Sequence, residues 1–153
     1  MKYASIGSIS SGTLRTEDLL SSFAFELEDL VQRNASAWWR PFGRQLRDAY
    51  MSLIGAAREV DPDSEAALDV VEELADALAA FAPPYCYFGA HADDAAAYGF
   101  WLSDMDDFDG LRVADTSEVP KGYSGDVLHV NDHGNITLYR ASRGKLSEVW
   151  SIV

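Results

Sequence analysis

The stretch Ala79-Ala80-Phe81-Ala82-Pro83-Pro84-Tyr85-Cys86-Tyr87-Phe88-Gly89 decides the fold, because the hydrophobic spacing changes within it. Pro83 and Pro84 cannot continue a helix, since each lacks an amide N–H and its ring clashes with the preceding turn. Before them, apolar side chains recur at helical spacing. After them, short aromatic or β-branched runs lie between turn residues, the pattern of strands. Helices first and strands afterwards, with no fixed-period repeat and no low-complexity linker, is the order of an α+β protein.

Working back toward the N-terminus, Leu20, Phe23, Leu27, Leu30 and Val31 repeat every three or four residues. They predict a helix capped by Thr16, with Glu17 and Asp18 at its positive end, running to about Arg33. A second helical pattern extends from about Ser36 to Glu59. Its packing candidates are Trp38, Trp39, Phe42, Leu46, Tyr50, Leu53 and Ile54, and Pro41 is tolerable only near its first turn. Asp61 followed by Pro62 predicts the cap and first position of a third helix ending near Phe81.

Working forward, Tyr85–Phe88, Tyr98–Leu102 and Leu111–Val113 read as strands. Asp126–Val130 and Asn135–Arg140 flank Asn131-Asp132-His133-Gly134, a tetrapeptide suited to positive φ, and predict a hairpin. Glu148–Val153 alternates as a last strand. The expected architecture is a single α+β domain over residues 1–153. About three N-terminal helices pack on one face of a C-terminal antiparallel sheet of four to six strands.

The 153 residues are 48% hydrophobic and 24% charged, enough for one real core. Twenty-five acidic against 12 basic side chains give a net charge of −13, which disfavours direct binding to phosphate backbones. One cysteine permits no internal disulfide, and no Cys-x-x-Cys pair exists for a structural zinc. No apolar run approaches the roughly 18 residues of a membrane span, and the N-terminus lacks the apolar core of a secretory signal. The expected compartment is the cytoplasm.

The distribution of charge is more informative than its total. Residues 1–58 hold 6 acidic and 7 basic side chains, residues 59–109 hold 14 and none, and residues 110–153 hold 5 and 5. Randomly decorated soluble surfaces mix both signs. At about 100° per residue, Glu65, Asp69, Glu72, Glu73 and Asp76 fall in one stripe of the third helix, opposite Val71, Leu74, Leu78 and Phe81. Asp93, Asp94, Asp104, Asp106, Asp107 and Asp109 occupy the loops around the Tyr98–Leu102 strand and are candidates to extend the same negative face. A solvated helix face would explain such a run without any partner. The sharper reading is that carboxylates spaced about 5–6 Å apart imitate nucleic-acid phosphates and occupy a basic groove on another protein. A third reading pairs Arg40, Arg44, Arg47 and Arg58, which share one side of the second helix, with the acids of the third.

Specific chemistries find little footing. His91, His129 and His133 lack the helical His-x-x-x-His spacing or a nearby His-Glu signature of a metal site. The run Asp104-Met105-Asp106-Asp107-Phe108-Asp109-Gly110 fails as a calcium loop: Phe108 is at its fifth position, Asp109 stands where glycine is required, and Asp115 where a bidentate Glu belongs. Cys86, between Tyr85 and Tyr87, sits where a buried inert thiol would, not an activated thiolate. Phosphate-binding glycine motifs and the Gly-x-Ser-x-Gly elbow are absent. No catalytic residue, metal or cofactor is assigned, and the chain is expected to act by binding. Trp38 and Trp39 are adjacent, so both cannot point inward from a helix, and one is a candidate contact residue.

Pro84–His91 with Tyr98–Trp101, and the block from Gly125 through Asn135 to Val153, resemble small uncharacterised acidic proteins carried by phages and plasmids. The resemblance covers roughly the C-terminal half and carries no catalytic motif. It implies a mobile-element setting in a bacterial host cell, where small acidic proteins block defence machinery such as CRISPR effectors or restriction enzymes. The expected partner is then a host protein with a basic nucleic-acid-binding surface. The alternative is an immunity or interaction protein that binds one partner through its sheet and aromatic residues.

Overall fold

A computed structural model of the chain describes residues 2–106 and 108–153. The fold is α+β, with three α-helices and two sheets among the described residues. The chain divides into two compact units, Met1–Leu102 and Ser103–Val153.

The first unit contains β1 (Gly7–Ser10), α1 (Thr16–Arg33), a 3₁₀ turn (Ala35–Trp39), α2 (Pro41–Glu59), α3 (Glu65–Ala79), β2 (Cys86–His91) and β3 (Asp94–Leu102). Seven side chains of α1 are buried, among them Leu20, Phe23, Leu27, Leu30 and Val31, as their spacing predicts. Phe23 is fully buried. Its ring meets Phe88 edge-on at 5.1 Å and Tyr98 at 5.5 Å, which seats α1 on one face of the sheet. That sheet runs β1-β3-β2, antiparallel throughout. At its centre Gly89 pairs with Gly99. A Cβ on Gly99 would stand 2.1 Å from the Gly7 carbonyl oxygen, so only glycine lets β1 approach. The Trp101 indole N–H donates to the Gly89 carbonyl at 2.9 Å.

Buried Asn34 ties the chain start to the end of α1. Its amide nitrogen donates to the carbonyls of Lys2 and Leu30, and its Oδ1 accepts the Lys2 amide N–H. The helix boundaries differ from expectation in three places. Thr16 is the first residue of α1 rather than its cap, which is Arg15. The nearby hydroxyl is that of Thr13, which accepts the Arg15 N–H and donates to Asp18. Next, Pro41 splits the expected second helix: the residue before it, Arg40, is extended (φ −77°, ψ 153°), as sterics before proline require. Finally, Asp61 accepts the Asp63 N–H in a turn, and α3 starts at Glu65 with Ser64 as cap, its hydroxyl accepting the Ala67 N–H.

The second unit holds β4 (Leu111–Val113), a 3₁₀ turn (Thr116–Glu118), β5 (Gly125–Val130), β6 (Ile136–Ser142) and β7 (Lys145–Ile152), in the order β4-β5-β6-β7. The predicted hairpin is β5–β6. Asn131 Oδ1 accepts the N–H groups of His133 and Asn135, and Gly134 takes φ 81°. Val113, Val127 and Ala141 form its core with Leu111, Tyr123, Tyr139 and Leu146 packed around them.

Four features depart from the expected single C-terminal antiparallel sheet of four to six strands. Seven strands are found among the described residues, β1 precedes the helices, the strands are shared between two sheets, and β4 runs parallel to β5. The segment from 114 to 124 makes that crossover, with Asp115 accepting the Ser117 N–H at its 3₁₀ turn.

Candidate functional site: the carboxylate row of the third helix

Helix α3 is anchored from one side. Ala67, Leu74, Ala77 and Leu78 are buried, against α1 and α2 and toward β2. The opposite stripe carries Glu65, Asp69, Glu72, Glu73 and Asp76, every one exposed. The helical period that buries the leucines therefore aligns the five carboxylates in water.

Neutralisation by α2 does not occur. Among the described residues, no salt bridge joins an arginine of α2 to an acid of α3. Arg58 reaches Glu28 on α1 instead, at 2.6 Å, and Arg47 holds its neighbour Asp48 at 3.0 Å. Arg15 pairs with Glu17, and Arg33 with Glu26 and Asp29. The paired basic side chains of this unit thus serve acids of the first 59 residues, and the α3 row is left as bare negative charge.

The acids expected in loops are a different case, and one of them, Asp94, is the first residue of β3. Asp94 accepts the Ala96 N–H at 3.0 Å and Asp104 accepts the Asp106 N–H at 2.9 Å, so both hold turns. Asp93, Asp106 and Asp109 are exposed. Asp93 and Asp94 belong to the first unit, Asp104, Asp106 and Asp109 to the second, and Asp107 lies outside the described residues. Among the described residues the α3 acids hold no turn or salt bridge, Glu65 alone standing in the helix's first turn, whereas Asp94 and Asp104 each fix a local backbone turn. That difference puts the weight of the site on α3.

The histidines each have a local partner. His91 Nδ1 accepts the Asp93 N–H at 3.1 Å, and its ring meets Trp101 edge-on at 4.6 Å. His129 Nε2 lies 3.0 Å from the Ala114 carbonyl, and His133 sits in the β5–β6 turn. Among the described residues, no three His, Cys, Asp or Glu side chains gather as a metal site. Cys86 is half-buried, and burial pushes its thiol up to about 11, leaving almost no thiolate at neutral pH. No described helix is long and apolar enough to cross a membrane.

Aromatic exposure separates the two adjacent tryptophans. Trp38 is buried and donates its indole N–H to the Val31 carbonyl at 2.8 Å, whereas Trp39 is 70% exposed. Phe42, read as a packing residue, is instead 77% exposed, in the first turn of α2. Phe25 on α1 is 71% exposed and lines two grooves of about 400 and 390 Å³. Neither Phe25 nor Leu68, 61% exposed beside the acidic row, is marked by sequence periodicity alone.

Comparison with protein-family models, curated proteins and solved structures finds no match to this chain.

Proposed function

We propose that this chain is a non-catalytic binding protein whose α3 carboxylate row occupies the basic nucleic-acid-binding surface of a partner protein. The reading is of the anti-CRISPR or anti-restriction type, in keeping with the phage and plasmid resemblance. The observation that carries it is the exposure of Glu65, Asp69, Glu72, Glu73 and Asp76 on one helix face with no compensating cation among the described residues. Like charges at i,i+4 cost a helix a few tenths of a kcal/mol per pair, so the row is retained at some expense to stability. A folded scaffold holds it rigid, so little ordering entropy opposes docking.

Plasmid challenge tests the reading in bacteria carrying a CRISPR or restriction system. Expression of the chain should protect the incoming plasmid. The variant with Glu65, Asp69, Glu72, Glu73 and Asp76 changed to Lys should lose protection while keeping its circular dichroism. Protection undiminished in that variant would sink the proposal.

A second reading, an interaction protein acting through aromatic side chains, is favoured by the exposure of Trp39 and Phe42. Salt distinguishes the two. Carboxylate docking should weaken steeply between low and physiological ionic strength, and an aromatic interface should not.

A further inference from the structure

A second surface of the first unit has the opposite sign. Between Asn34 and the end of α2 the chain holds Arg40, Arg44, Arg47 and Arg58 against two acids, Asp48 and Glu59, within a protein of net charge −13. Along the α2 axis Arg44, Arg47, Met51 and Arg58 fall in a stripe about 60° wide. The buried Ile54 and Ala57, with the half-buried Tyr50 and Leu53, face the core about 100° round the helix from the centre of that stripe. Arg58 is engaged by α1 and Arg47 by its neighbour. Arg44 is exposed with no side-chain partner among the described residues. The Arg40 guanidinium lies over the Trp39 ring, 5.2 Å from its centroid, which sets a broad apolar shelf beside a cation.

Helices α2 and α3 pack against each other, yet their charged rows do not meet. One molecule therefore shows solvent a cationic face with exposed Trp39 and Met51, and an anionic face with exposed Leu68. Each is the chemical complement of the other. We propose that the α2 face is a docking surface for a second copy of this chain, which lays its α3 carboxylate row along Arg40, Arg44 and Arg47. The net charge of −13 does not forbid the contact: at physiological ionic strength the screening length is about 8 Å, so a docked copy feels the facing rows more than the distant remainder. Trp39 and Leu68 supply the apolar part that a purely ionic contact would lack. The face that docks differs from the face it docks on, so assembly propagates or closes according to geometry. The inference rests on these two faces alone, and it holds whether or not α3 also engages a foreign protein. The two uses of α3 exclude each other in any one copy.

Sedimentation velocity on the full chain tests this without any other macromolecule present. The wild type should associate with rising concentration, at least about tenfold more weakly at ~500 mM than at ~50 mM salt. Association should be lost in an Arg44→Ala, Arg47→Ala variant, and likewise in a Glu65→Gln, Asp69→Asn, Glu72→Gln variant. All five positions are exposed, and circular dichroism checks that both variants stay folded. Mixing the two variants should restore a complex that stops at one copy of each, since each supplies the face the other lacks. A wild type that stays monomeric at every concentration and salt would overturn the inference. So would assembly that persists in both variants, or that fails to return when the folded variants are mixed.

Discussion

Gly99 shows how much one missing side chain permits. Its strand accepts β1 only because no Cβ opposes the Gly7 carbonyl, so Gly99→Ala should cost about 3 kcal/mol through forced separation of the strands. Chemical denaturation measures it, and a loss under about 0.5 kcal/mol would show that β1 contributes little. Cys86 gives a second expectation. With its thiol pushed up to about 11 from an ordinary 9, the thiolate fraction at pH 8 falls roughly a hundredfold, and alkylation of the folded chain should slow accordingly. The sign for stability follows: the unfolded thiol ionises first, so stability falls as pH rises from about 9 toward about 11. At this scale the sequence was partly legible. Adjacency alone dictated that Trp38 and Trp39 part ways, but which one turns inward depends on the Val31 carbonyl, a tertiary partner that no local pattern reveals.

Among the elements, α3 binds its own opposing demands. Ser64 satisfies one of its free amide groups, so Ser64→Ala should cost about 1 kcal/mol in thermal or denaturant unfolding. Changing Glu65, Asp69, Glu72, Glu73 and Asp76 to their amides should instead stabilise the chain by about 0.5–1 kcal/mol, by relieving the i,i+4 repulsions at 65–69, 69–73 and 72–76. A destabilised amide variant would mean that the row has a structural partner. The helices were readable because each buries a stripe at a 3.6-residue period over several turns. Their boundaries were less so, because capping depends on which of several nearby polar residues meets an amide group: Ser64 rather than Asp61 caps α3, and at α1 the cap is Arg15 with no side-chain bond, not Thr16. Strand pairing was hardest. Four residues with one large apolar side chain, Gly7-Ser8-Ile9-Ser10, carry no usable period. The β6–β7 turn uses Arg143 and Gly144 at φ 51° and 76°, where an Asn-Gly would have announced it. Nothing in Leu111-Arg112-Val113 reveals that β4 runs parallel to its neighbour.

For the whole molecule, charge is the organising fact. The first unit holds 16 acids and 7 bases, the second 9 and 5. The bases of the first unit sit before residue 59, so α3 carries acids alone while α1 and α2 carry both signs. This partition was legible by counting, as was the identity of the α3 carboxylates, because helical geometry converts spacing directly into a face. The local duties of Asp94, at the start of β3, and of Asp104 were not, since acids at turns have no period from which to infer a partner. The most direct measurement of the central claim is competition: labelled nucleic acid bound to a captured partner protein, titrated with this chain at low salt. Displacement of the nucleic acid by the wild type, lost when the five α3 acids become lysines, is the expected result. A stable ternary complex, in which the partner holds nucleic acid and this chain together, would contradict occupation of the nucleic-acid site by the α3 row.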